Sequence, residues 1–304
     1  MKSVINNILC TTDFSEYSKQ AVFYGASLAK KADAKLYVCH VIDFRNLGMY
    51  GQAMYNEIEK QQNAMLFEAR HEMEQLIREA GINFEPVIKI GAIDEEINKA
   101  VAETNADLVI TTTHGRSGLK RAVLGSVAER LMRSLNKPFL AIQSASAESK
   151  IKGGEEIHLN KLLVGSDFST DSALAIEYGA KLALNFNAEF HLVYAMPTSV
   201  FDSLWEESTA KDKDVFQKQL IEQYTDKLKA QIPQENLEGL NLKTELLIGK
   251  AYLKLQDYAK SFGIDMIVMG VRGIGLVESI FVGSTTDRML RQSPCPVMAV
   301  CHNQ

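Results

Sequence analysis

Ile264-Asp265-Met266-Ile267-Val268-Met269-Gly270-Val271-Arg272-Gly273-Ile274-Gly275, followed by Gly283-Ser284, is a strand, a glycine turn and a helix start in succession. The mostly apolar run Ile264 to Met269 reads as a buried strand, and Thr285 to Arg291 as the beginning of a helix. Glycines therefore sit where the strand ends and where the helix begins. Such a turn leaves backbone N–H groups facing outward, and the helix N-terminus adds a partial positive charge. An anion, most simply a phosphate chain, is the natural guest.

The same arrangement occurs earlier as Thr112-Thr113-His114-Gly115 and then Gly125-Ser126, and the intervals Gly115 to Gly125 and Gly273 to Gly283 are equal. Further matches follow. Ile8 to Ser15 aligns with Leu162 to Ser169, which places Asp13 and Asp167 at an offset of 154 (167 − 13). Tyr24-Gly25-Ala26 aligns with Tyr178-Gly179-Ala180, Ile90-Gly91 with Ile248-Gly249, and Pro138 with Pro296. By the glycine turn the offset is 158 (273 − 115), so the second copy has gained four residues (158 − 154). A chain of 304 residues is thus expected to hold two domains, 1–143 and 161–304. The intervening 144–160 lacks apolar periodicity, carries Gly153-Gly154 and reads as a linker.

Composition is that of an ordinary soluble globular protein, 46% apolar and 23% charged. A net charge of −5 gives no bulk attraction to nucleic acid or anionic membrane, so any anion site must be local. No apolar run is long enough for a bilayer, and the first residues do not read as a signal peptide. Cys10, Cys39, Cys295 and Cys301 are scattered without a CxxC pair, which suggests neither zinc nor a disulfide framework and points to reducing cytoplasm.

Each copy alternates strand and helix. In the first, strands are expected at 7–12, 35–41, 84–90, 108–112 and 138–143. Helices are expected from Ser15, as cap, to about Lys31, then at 56–80 with Gly81 as stop, 92–104 and 126–135. Asp43 to Tyr55 reads as a loop. The second copy repeats the order, its longest helix running from about Lys211 to Gln231 and Met196 to Ala210 forming the corresponding loop. The order β-α-β-α-β-α-β-α-β predicts an α/β fold, a parallel sheet with helices on both faces.

Both halves resemble universal stress protein domains. Nucleotide-binding members of that family carry a first strand ending in Asp and a Gly-x-x-Gly-x9-Gly-Ser/Thr motif after the fourth strand. Gly270, Gly273, Gly283 and Ser284 match fully, whereas in the first half Thr112 stands at the first glycine position before Gly115, Gly125 and Ser126. The resemblance covers nearly the whole chain. It implies two tandem Rossmann-like domains, each a five-stranded parallel sheet of order 3-2-1-4-5, with ligands beyond the carboxyl ends of the first and fourth strands. Carried over position by position, the implied ligand contacts in the second half are Gly165, Asp167, Ala195, Met269, Gly270, Gly273, Gly283, Ser284 and Thr285. In the first they are Thr11, Asp13, Val41, Thr112, Gly115, Gly125, Ser126 and Val127. Val41 and Ala195 match the adenine-contact position. ATP is the implied ligand, with Mg²⁺ a candidate companion whose protein ligands the sequence does not identify. The family also implies dimerisation through the fifth strand, expected here as an internal pseudo-dimer of the two copies, with further homodimerisation open.

Several residues have plainer readings. Asp13 and Asp167 can meet a ribose hydroxyl, an adenine amine or a metal, or serve only the helix start. The glycines can serve only the turn. Motif completeness favours phosphate in the second half. Local charge favours the first, where Arg116, Lys120 and Arg121 face Arg272 and Glu278 of the second. His40 and His114 lie near strand ends, but a lone histidine is more often structural, and His114 corresponds to Arg272. The cluster Leu47, Met49, Tyr50, Met54 and Tyr55 reads as a lid on its own domain. No nucleophile–base–orienter set is apparent. The expected function is nucleotide binding by a cytoplasmic stress-response sensor or adaptor. The alternatives are a weak metal-dependent nucleotide hydrolase and a scaffold that binds no nucleotide. A Rossmann dehydrogenase is disfavoured because the turn after its first strand should be glycine-rich, and here it is Thr12-Asp13-Phe14-Ser15.

Overall fold

Apolar, partly β-branched runs between glycine and asparagine breaks form the strands, and within each unit helices between successive strands return the chain to the same end of the sheet. In the computed structural model, residues 4–43, 55–81, 83–113, 125–143, 151–209, 212–271 and 282–300 are described. The chain divides into two units, Ile5–Ile157 and His158–Gln304, the latter taken together with Met1–Val4.

The first unit runs β1 (Asn7–Thr11), α1 (Glu16–Ala32), β2 (Lys35–Ile42), α2 (Tyr55–Ala80), β3 (Glu85–Ile90), α3 (Ile93–Glu103), β4 (Leu108–Thr112), α4 (Ser126–Ser134) and β5 (Phe139–Ile142). All pairings are parallel, in the order β3-β2-β1-β4-β5. The second unit runs β6 (Lys161–Ser166), α5 (Thr170–Phe186), β7 (Glu189–Met196), α6 (Thr198–Glu207), α7 (Lys213–Lys229), α8 (Gln234–Leu237), β8 (Asn241–Ile248), α9 (Ala251–Phe262), β9 (Met266–Gly270), α10 (Ser284–Gln292) and β10 (Val297–Val300). Its strands pair in the equivalent order, β8-β7-β6-β9-β10. In each unit the connections diverge between the first and fourth strands, the place where an open α/β sheet leaves a crevice.

The central strands are buried along their length, with Ile8, Leu9, Cys10, Val109 and Ile110 at the centre of one core and Leu163, Val164, Ile267 and Val268 at the centre of the other. Ser15 and Ser169 cap α1 and α5, each Oγ accepting from the N–H three residues on. Gly81, at φ +70°, ends α2.

One local expectation is corrected. The stretch expected as the loop Met196 to Ala210 contains α6, because Val200, Phe201, Leu204 and Trp205 fall on one helical face. Phe201 is buried and packs on Phe216, as does Trp205, at ring-centroid distances of 5.7 and 5.4 Å. Gly153-Gly154, in the segment read as a linker, packs against the first unit. The Gly154 N–H donates to the Ala80 carbonyl at the end of α2, and a Cβ on Gly153 would lie 1.6 Å from the Glu79 carbonyl oxygen. These glycines let the segment lie against the helix end and satisfy a carbonyl there. Residues 151–157 continue on the same unit, where the N–H groups of Ile151 and Ile157 donate to Gln20 Oε1 and Ser27 Oγ.

Candidate functional site

The turn after the first strand is built alike in both units. Phe14 and Phe168 adopt φ of 62° and 64°, a left-handed conformation unusual for a bulky residue. This turn folds Asp13 back onto the helix start, where its Oδ1 accepts from the Ser15 N–H (3.1 Å) and Ser15 Oγ (2.6 Å). Asp167 Oδ1 accepts from the Ser169 N–H at 3.0 Å. The strained aromatic residues are held by ring packing, Phe14 on His40 at 4.3 Å and Phe168 on Tyr194 at 5.0 Å. Tyr194 stacks in turn on Tyr224. Each carboxylate is thereby fixed at the mouth of a crevice, and its helix-start role is observed directly.

The crevices differ. In the second unit a cavity of about 560 Å³ is lined by Gly165, Asp167, Ala195, Met269, Gly270, Gly283, Ser284 and Thr285, with Val193, Tyr194, Ala251 and Leu255 completing the wall. In the first, Thr11, Asp13, Val41, Thr112, Gly125, Ser126 and Val127 line about 210 Å³, together with Cys39, His40, Ile93 and Ile97. The sequence-selected residues of each half are therefore brought together at one crevice. Gly115 and Gly273 lie outside the described residues, as do His114, Arg116, Lys120, Arg121, Arg272, Glu278, Leu47, Met49, Tyr50, Met54 and Cys301.

Three matched lining positions carry more bulk in the first unit. Thr11 stands where the second unit has Gly165, Val41 where it has Ala195, and Ile93 where it has Ala251. Thr11 Oγ1 donates to Thr111 Oγ1 at 2.7 Å, tying two bulky strand residues across the first crevice. Ile93 and Ala251 were not found from the sequence. They open α3 and α9 outside any motif, and only the repeat register would have paired them.

Gly270 lines the cavity and also has a packing role. A Cβ there would lie 2.5 Å from the Asp171 carbonyl carbon and 2.8 Å from the Ser172 nitrogen, so the glycine admits the start of α5 to the end of β9. Thr286 Oγ1, at 2.8 Å from the Gly270 carbonyl, ties α10 to the same strand end. The N–H of Gly283 is used internally, donating to the Val271 carbonyl at 2.8 Å, and Gly125 repeats this with Thr113 at 2.7 Å. No side chain caps α10, and the first-turn amides of Ser284 and Thr285 have no acceptor among the described residues. Those two amides, on the cavity wall, are donors available to an anion.

The titratable groups on the second cavity's described lining are Asp167 and Tyr194. Burial, reinforced by Tyr224 and Asp167, raises the Tyr194 phenol above its ordinary range, so it remains a neutral hydrogen-bonding group. In the first unit His40 Nδ1 lies 2.8 Å from the Thr12 carbonyl, an arrangement that requires its proton on Nδ1 and gives the ring a structural bond. Burial pushes the Cys39 and Cys295 thiols up to about 12 and Cys10 higher still, which keeps them protonated and unreactive. Among the described residues no three His, Cys, Asp or Glu side chains cluster as a metal site.

The sequence model of the universal stress protein family matches residues 5–143 and 158–300, covering both units. The chain belongs to the universal stress protein family. A universal stress protein of Methanocaldococcus jannaschii is 30% identical over 158 residues, spanning 47% of this chain and 98% of its own. One from Synechocystis is 24% identical over 320 residues, 97% of this chain and 99% of its own, and so shares the tandem length. The crystal structure of a universal stress protein from Archaeoglobus fulgidus superposes with a TM-score of 0.63 at 23% identity, over 98% of this chain and 97% of that one, which shows the shared fold. In this tandem universal stress protein the two copies keep one topology while their crevices have diverged in bulk. No helix among the described residues is long and apolar enough to cross a membrane.

Proposed function

We propose that the second unit binds one adenine nucleotide, ATP, beyond the ends of β6 and β9, and that the protein is a nucleotide-dependent stress-response sensor or adaptor acting in the cytoplasm. The observation that carries this reading is the cavity of about 560 Å³ at Gly165, Ala195 and Ala251, within the range of small-molecule sites. Val193, Leu255 and Met269 offer an apolar wall for a base, Asp167 a carboxylate for a ribose hydroxyl, and the Ser284 and Thr285 amides a cradle for phosphate. Any Mg²⁺ arrives with the phosphates. The first crevice, at about 210 Å³, is smaller than such sites usually are, so the expected stoichiometry is one nucleotide per chain. The sensor or adaptor reading is supported by a described lining that offers no general base beyond Asp167, whose Oδ1 is engaged in the turn.

Calorimetric titration of the full chain with ATP tests the proposal, together with phosphate release over hours. Binding at one site with ATP left intact is expected. Sustained release abolished by Asp167→Asn would instead establish a hydrolase, and absence of binding would leave a scaffold. The reading includes pairing of the two units through β5 and β10. Its support is that Phe-Leu-Ala-Ile and Val-Met-Ala-Val are apolar strands at the ends of their units' strand orders, where an open edge invites a partner. Cross-linking of cysteines introduced into those two strands tests that pairing, and sedimentation reports any further homodimer.

A further inference from the structure

Beside the main cavity of the second unit lies an open groove of about 440 Å³, which shares Pro197, Ala251, Ser284 and Thr285 with it. Lys250, Tyr252 and Arg288 line the groove but not the cavity. Arg288 rests over the Tyr252 ring at 4.4 Å, and neither Arg288 nor Lys250 has an acidic partner among the described residues.

The matched positions of the first unit are built differently. Arg130 occupies the position of Arg288. There Asp94 replaces Tyr252 and sits 3.6 Å from the guanidinium, while Arg130 Nε donates to the Ser126 carbonyl at 3.2 Å. Ala92 replaces Lys250, and Glu96 replaces Lys254, so the start of α3 carries Asp94, Glu95 and Glu96 where α9 has no acid. Among the described residues the first rim is thus neutralised and acidic, and the second is cationic with its arginine held in place by an aromatic ring. Two cations lining the groove beside Ser284 and Thr285, one of them held on an aromatic ring, favour a chain of phosphates running out of the cavity into the groove.

We propose that this groove is a second subsite for the far end of a polyphosphate chain, so that the preferred ligand is an adenosine nucleotide extended beyond the third phosphate, free or capped by a second nucleoside. The proposal rests on the nucleotide reading above.

The test is calorimetry on the full chain with AMP, adenosine 5′-tetraphosphate and diadenosine tetraphosphate. It is repeated on Arg288→Ala and on Tyr252→Asp, the latter rebuilding the first unit's ion pair. The tetraphosphate is expected to bind at least roughly tenfold tighter than AMP, with the ratio falling toward one in both variants, since a charged hydrogen bond typically carries about that factor. A capped form that binds as well as the free tetraphosphate puts the second nucleoside in the groove. A weaker capped form ends the chain on a free phosphate. Both of those results support the subsite. A ratio near one in the unmodified protein, or one unchanged in both variants, overturns the subsite and leaves the nucleotide reading standing. No binding of any of the three overturns both.

Discussion

Gly270 separates two ideas about a glycine motif. From sequence, a glycine after the fourth strand reads as room for phosphate, and Thr112 as an obstruction in the other half. In the structure the space around Gly270 is taken by the backbone of Asp171 and Ser172. Gly270→Ala should therefore destabilise the second unit by about 1–3 kcal/mol through overpacking, with or without ligand present. Scanning calorimetry would show the loss as a drop in melting temperature of several degrees. His191 supplies a pH-dependent term. Its side chain is fully buried, Nδ1 lies 2.9 Å from Tyr258 Oη and Nε2 3.2 Å from Glu189 Oε2. Burial lowers its pKa below 6.5 despite the nearby Glu189. The unfolded chain then binds the proton more readily, so stability from this group is full above the ordinary histidine range and is lost as pH falls toward the lowered value. Denaturant midpoints should decline from pH 7 to pH 5.5, with a smaller decline in His191→Gln; equal slopes would contradict the assignment. Asp13, Asp167 and the paired glycines were visible in the sequence because they recur at fixed offsets. The contrasts Thr11 with Gly165, Val41 with Ala195 and Ile93 with Ala251 add bulk to the first crevice wall, but their effect could not be read from the sequence, since bulk on a cavity wall leaves no periodic signature.

At the scale of elements, strand and helix order could be read from alternation of apolar runs and breakers, and the serine caps from their place before each helix. The helix α6 was missed because the segment was read as the counterpart of a loop, although its apolar spacing is helical. Its stability comes from tertiary contact with α7. Phe201 and Trp205 pack on Phe216, and the Lys213 ammonium lies over both the Phe201 and Trp205 rings at 5.4 and 5.9 Å. Phe201→Ala should cost about 3 kcal/mol, the lower end for a buried aromatic truncation, and should expose Trp205. A red-shifted tryptophan emission with reduced urea resistance would register both, and Trp205 is the chain's single tryptophan, so the signal is unambiguous. The packing of Gly153-Gly154 was not legible for a related reason. Glycine pairs suit flexible tethers and close backbone contacts alike, and only the position of the α2 terminus distinguishes them. One clamp escaped notice entirely. Asp107 Oδ2 accepts from the N–H groups of Asn6 and Asn7, and Asp265 Oδ2 from those of Asn160 and Lys161, anchoring the first strand of each unit by a carboxylate about a hundred residues away. No local pattern carries such a long-range pair.

For the whole molecule, duplication explains both the likeness and the difference. Two copies share topology, caps, strained turns and carboxylate clamps, the features that folding requires of each. Among the described residues they differ in the bulk of the crevice wall and in the charge at its rim, features that folding leaves free. The central claim is that one copy has kept room for a nucleotide and the other has filled it. Native mass spectrometry of the full chain with ATP, compared with the triple variant Gly165→Thr, Ala195→Val, Ala251→Ile, tests this most directly. The account predicts one nucleotide per unmodified chain and none on a variant that retains its circular dichroism spectrum; two nucleotides per chain, or one persisting on the folded variant, would contradict it.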